Sequence, residues 1–92
     1  MWFLYIVQCK NGPLYTGITD DLARRFSEHV SGKGGRYTSL NQAEKLVYSE
    51  SHSTRNRVEK REQQIKRWSK AKKIALIEND LEELRGLSVS RD

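Results

Sequence analysis

The chain has 92 residues, 36% hydrophobic and 32% charged, with a net charge of +5. That size allows one small domain with a thin core, and no apolar run approaches the roughly 20 residues of a membrane span. A single cysteine, Cys9, excludes an internal disulfide and a multi-cysteine zinc site. On an apolar strand it reads as a buried thiol. The chain starts directly in a strand-like pattern, without the basic-then-apolar layout of a signal peptide, so a reducing cytoplasm is the expected location. The charge is uneven: residues 1–50 carry six basic and five acidic side chains, residues 51–73 nine and two, and residues 74–92 two and five. The excess of cation is one element, STRNRVEKREQQIKRWSKAKK. A solvated helix face accounts for any one lysine. The concentration of charge points instead to a polyanion bound in a sequence-independent, salt-sensitive way.

Residues 2–8 and 14–18 read as strands, rich in aromatic and branched side chains. A two-residue turn at Asn11-Gly12 would put Tyr5 and Tyr15 on opposite faces. A three-residue loop, Lys10 to Gly12, pairs positions whose numbers sum to 22 and puts Tyr5, Val7, Tyr15 and Gly17 on one face. Gly12 then supplies the left-handed residue such loops favour, and this register is the one expected. A helix should begin near Asp20, with that carboxylate as its cap. Leu22, Phe26 and Val30 form its expected buried stripe, and Arg25 and His29, four apart, share one edge of it. SGKGGRY (31–37) breaks this helix. It reads as a connector or as a loop that touches phosphate through Lys33 and Arg36. The spaced glycines and Lys-Ser/Thr pair of a P-loop are missing.

KLVYSE (45–50) reads as a third strand. The basic helix is expected from about Ser53 to Ser69, with Val58, Ile65 and Trp68 as its apolar arc. Glu62 falls about 40° from Val58, at the edge of that arc. Arg61 falls inside the arc and is expected to snorkel outward. A further helix should start near residue 70, and Asn79-Asp80-Leu81-Glu82 reads as the cap of a short last one. The fold class is α+β: a three-stranded antiparallel sheet in the order β-β-α-β-α-α, one domain over 1–86 with a frayed tail at 87–92. Trp2, Trp68, Tyr37 and Tyr48 read as core or rim aromatics.

Tyr5, Tyr15 and Arg25 are spaced by tens, with His29 four further on and Glu62 on the basic helix. Phe3-Leu4-Tyr5, Tyr15-Thr16-Gly17, Arg25, His29 and the segment Val58 to Glu62 with Ile65-Lys66 resemble the GIY-YIG endonuclease superfamily. The likeness spans about residues 2–77 and is closest to small stand-alone bacterial members, which share LYTGIT, an acidic helix start, an Arg-Arg pair and SGKG. Phe3 replaces the first glycine of the name motif, and Ile18 stands where DNA-repair relatives carry a lysine. The resemblance implies a nuclease acting on DNA, with Tyr5, Tyr15, Arg25, His29 and Glu62 as catalytic residues and Glu62 as ligand of one Mg2+ or Mn2+ ion, bound weakly without nucleic acid. Tyr15 is the leading general base. An ordinary tyrosine, with a pKa near 10, is only about one part in a thousand ionised at neutral pH, so Tyr5 or His29 could share that task. Lys33, Arg36, Arg55 and Lys66 are candidate DNA contacts. Two other functions fit the same features: a non-catalytic nucleic-acid-binding module, and a nuclease subunit that needs a targeting partner.

Overall fold

The computed structural model describes residues 1–31 and 43–79. The elements follow in the expected order: β1 (Trp2–Cys9), β2 (Leu14–Thr19), α1 (Leu22–Val30), β3 (Ala43–His52), α2 (Arg55–Lys66) and α3 (Lys70–Ile77). The sheet is antiparallel in the order β2-β1-β3. Lys33, Arg36 and Tyr37, and residues 80–92 with the expected last helix and tail, lie outside the described residues.

The hairpin has the three-residue loop. Phe3 pairs with Thr19, Tyr5 with Gly17 and Val7 with Tyr15, and the Gly12 N–H donates to Cys9 O at 2.9 Å. Gly12 has φ +97°, where a side chain would clash with its own backbone. One face of the sheet therefore carries Tyr5, Val7 and Ala43 under Leu22 and Phe26 of α1. The other carries Leu4 and Ile6 against Val58 and Ile65 of α2, with Ile18, Trp68, Leu76 and Ile77 around them. Each of these fully buried aliphatic side chains stabilises by about 1.5–3 kcal/mol.

Several boundaries differ from expectation. Asp21, not Asp20, caps α1, accepting the Arg24 N–H at 3.1 Å. Thr19 Oγ1 accepts the Asp21 N–H at 3.0 Å and so holds Asp21 extended, while Asp20 pairs with the Arg24 guanidinium. Val30 is 41% exposed, and His29 is fully buried in its place. The inward positions run 22, 26, 29, because seven residues return a helix to within about 20° of its start and eight overshoot. Strand β3 extends two residues beyond the expected run at each end. A bulge opposite Ile6 and Val7 skips Val47, so Val47 and Tyr48 both pack on the α2 side.

Thr54 caps α2 and Ser69 caps α3, each through its side-chain oxygen. Asn79, expected to open a new helix, has φ +57° and donates its N–H to Leu76 O. It closes α3 in the left-handed conformation that asparagine tolerates.

Arg61 does not snorkel outward. Its Nε donates to Glu50 Oε2 at 2.9 Å, and its guanidinium lies 5.3 Å over the Trp68 ring. Glu50 also accepts from Tyr48 Oη at 2.5 Å and His52 Nε2 at 2.6 Å. Burial raises the Glu50 pKa, but these three donors outweigh it and hold the carboxyl below its ordinary value. Burial first, then the bond to Glu50, pushes Tyr48 up to about 12. This network clamps α2 to β3, so Glu50→Gln should destabilise the fold by about 2 kcal/mol. Urea unfolding at pH 7 measures it, and an unchanged midpoint would refute the clamp. Thr16 Oγ1 is the one buried side-chain polar atom without a hydrogen-bond partner among the described residues. Thr16→Val should therefore stabilise by about 1 kcal/mol in the same assay.

Candidate active site

Strand pairing places Tyr5 directly opposite Gly17, and its ring lies over that glycine. A Cβ on Gly17 would fall 2.5 Å from Tyr5 Oη and 2.7 Å from Cζ. The phenol thereby reaches the edge strand β2, where α1 meets it from the chain that follows. Arg25 and His29, one turn apart on α1, both turn to its oxygen: His29 Nε2 lies 2.7 Å from Tyr5 Oη, and Arg25 Nε donates to it at 3.4 Å. Arg25 Nη1 is held by Glu28 Oε1 at 3.0 Å. The Tyr15 ring completes the cluster, its centroid 5.1 Å from that of His29 and 6.4 Å from that of Tyr5. Tyr15 is half-buried and Tyr5 only 2% exposed, so Tyr15 is the tyrosine nearer to solvent.

The electrostatics favour the uncharged forms of both groups. Burial raises the Tyr5 pKa against the lowering effect of the Arg25 hydrogen bond; the charges of Tyr15 and Glu62 add to the rise. Burial, then the Arg25 charge, lowers the His29 pKa. At neutral pH the pair is a phenol and a neutral imidazole. The Tyr5 oxygen accepts from Arg25, so its own proton is available to donate to His29 Nε2. The arrangement can pass a proton from phenol to imidazole while the guanidinium steadies the oxygen left behind.

A depressed folded-state pKa means that the unfolded chain binds the His29 proton more readily. Stability is then complete above the ordinary histidine value of about 6.5 and falls as pH drops from there toward the folded-state pKa. The melting temperature should show this acid-side loss, and His29→Gln should flatten it. Parallel pH profiles of the two proteins would show that His29 is not the group responsible.

Glu62 lies on α2, and its charge adds the smallest of the effects that raise the Tyr5 pKa. Its side chain is 19% exposed and takes an ion pair from Lys66 at 3.2 Å. Arg55, the other helix cation expected to touch DNA, is paired with Glu59 at 3.1 Å. Ile18 packs into the α2-side core, so this position brings no cation to Tyr15. Two supports of the site were not marked out in the sequence: Glu28, which holds Arg25, and the close approach of the Tyr5 ring to Gly17. An acid three residues after Arg25, and the residue opposite Tyr5 in the chosen register, were the available signals.

No group of three or more His, Cys, Asp or Glu side chains among the described residues could hold a metal ion. That donor set does not suit a closed zinc site. A lone carboxylate fits a hard divalent cation that takes most of its shell from water and phosphate oxygens. No helix among the described residues is long and apolar enough to cross a membrane.

A UPF0213 protein of Desulfotalea psychrophila is 49% identical over 77 residues, covering 83% of this chain and 70% of its own. One from Staphylococcus saprophyticus is 43% identical over 75 residues, covering 82% and 92%. The solution NMR structure of a UPF0213 protein from Bacillus halodurans superposes with a TM-score of 0.55 at 35% identity, covering 85% of this chain and 84% of that one. The GIY-YIG catalytic domain matches residues 1–75, from β1 into α3, and with both tyrosines, Arg25, His29 and Glu62 inside that span the chain belongs to the GIY-YIG catalytic-domain family, a nuclease family.

Proposed function

We propose that the protein is a divalent-metal-dependent endonuclease that hydrolyses DNA phosphodiester bonds. The observation that carries this reading is the hydrogen-bonded trio of Tyr5, His29 and Arg25 beside Tyr15. Hydrolysis needs a water relieved of its proton, neutralisation of the charge that grows at phosphorus, and stabilisation of the departing oxygen. Tyr15, the more exposed phenol, orients the water. Tyr5 and His29 form the proton path behind it. Arg25 offers a planar, permanently charged fork to the non-bridging oxygens, which a lysine would serve less well. Glu62 would hold the Mg2+ or Mn2+ ion, which supplies Lewis-acid polarisation of a phosphate oxygen and the leaving oxygen.

The test is incubation of the pure protein with single-stranded, duplex and branched DNA, with Mg2+ or Mn2+ and with chelator. Arg25→Ala and Glu62→Ala, purified identically, control for contaminating nucleases. Cleavage confined to the wild type with metal supports the assignment; equal cleavage by all three proteins would sink it. Salt-sensitive binding without cleavage in any cation would favour a non-catalytic binding module. Setting the activity in repair or recombination would follow from a preference for branched or damaged substrates in the same experiment.

A further inference from the structure

The cations of α2 divide between two sides of the helix. On the side of Glu62, Arg55 and Lys66 are neutralised by Glu59 and Glu62. On the opposite side Lys60 and Arg67 are exposed, and no ion pair among the described residues engages them. Between these two lie Gln63 and Gln64, and with Trp68 the five residues line a groove of about 460 Å³. Positions 60, 63, 64 and 67 share one face, centred roughly 150° around the helix from Glu62. The groove therefore looks away from the tyrosine cluster.

The chemistry of the lining is one-sided. Lys60 and Arg67 can only donate. The Gln64 Oε1 already accepts from Arg61 Nη1 at 2.8 Å, and its amide nitrogen is available to donate. No carboxylate is among the described lining residues. Trp68 supplies a flat apolar wall, its ring covered by the Arg61 guanidinium at 5.3 Å and the Lys72 ammonium at 4.4 Å. Such a groove suits a ligand rich in anionic acceptors with planar apolar parts. Lys60 and Arg67 stand two helical turns apart, about 10 Å, far enough to engage different phosphates of one polynucleotide. A single small anion would satisfy only one of them.

We propose that this groove is a second DNA-backbone site, gripping the polynucleotide away from the phosphate that is cut. It rests on the nuclease reading for its purpose, though not for its measurement. Lys60 and Arg67 each neutralise a phosphate, Gln63 and Gln64 donate to sugar or base oxygens, and Trp68 packs against what they hold.

The experiment is fluorescence anisotropy of a labelled 25-base-pair duplex in chelator, across a salt series, for wild type and Lys60→Gln/Arg67→Gln. Loss of two phosphate contacts should make the slope of log affinity against log salt shallower by about 1.8. The affinity should fall at least tenfold at low salt. Lys10→Gln/Lys45→Gln, which removes the same charge from the hairpin loop and β3, should change the slope by less than half as much. Matching urea midpoints show that all three proteins are folded. A slope unchanged from wild type, or one changed equally by the control pair, overturns the proposal. So does capture of the wild type by phosphatidylglycerol vesicles with no duplex binding. Because the readout contains no divalent ion, the two failures separate. A shallower slope without cleavage in any cation removes the nuclease and keeps the groove; cleavage with an unchanged slope does the reverse.

Discussion

Glu62→Gln should reduce metal-dependent cleavage by about 10²–10³-fold, the usual loss when a stabiliser of transition-state charge is removed. Glutamine keeps the length and shape of the side chain but cannot offer a hard cation a full negative charge. Unfolding cannot account for the loss. Among the described residues Glu62 pairs only with Lys66, four residues on along the same helix, and helix pairs of that spacing contribute about 0.3–0.5 kcal/mol. The urea midpoint should scarcely move. DNA binding in chelator should hold or tighten slightly, since a negative charge has left the binding side. A second readout needs no substrate. The Glu62 charge is the smallest of the causes that raise the Tyr5 pKa, so ultraviolet titration should find that phenol slightly easier to ionise in the variant. Wild-type cleavage by Glu62→Gln would remove the carboxylate from the mechanism altogether.

Gly17→Ala should cost about 3 kcal/mol of stability and inactivate the site as well. The added methyl would stand 2.5 Å from Tyr5 Oη and 2.7 Å from Cζ. These are rigid ring atoms in a residue 2% exposed, so the phenol must shift as a body. Overpacking of this kind costs about 1–3 kcal/mol, and the shift also breaks the bond to His29, worth about 1 kcal/mol more. Tyr5→Leu in the same background should recover much of the stability, because the clash disappears with the ring. A double-mutant cycle should show more than about 1 kcal/mol of coupling. Additive effects in that cycle would mean that Gly17 is needed for something other than room for Tyr5.

Much of this arrangement was legible in the sequence because it depends on short-range periodicity. A period of two and a glycine able to take positive φ leave two hairpin registers, and the chain adopts the one that gives Tyr5 and Tyr15 a shared face. Four-residue spacing puts Arg25 and His29 side by side. What the sequence concealed depends on contacts made at a distance. Asp20 and Asp21 are equally good caps until Thr19 takes the Asp21 amide. Val30 looks a better core residue than His29 until Tyr5 supplies a hydrogen bond that lets the imidazole be buried. Arg61 reads as a snorkelling cation because nothing in its own helix announces Glu50, eleven residues earlier on β3.

The Lys66 ammonium rests on Glu62 Oε2. On the proposed mechanism a divalent ion would compete with Lys66 for that carboxylate, and a DNA phosphate is a partner that would receive the displaced ammonium. Each ligand thus removes an obstacle to the other. Thermodynamic reciprocity then requires that whatever factor DNA adds to metal affinity, metal adds to DNA affinity. One lysine, four residues from the acid it neutralises, would make the two requirements of the reaction report on each other before any bond is cut.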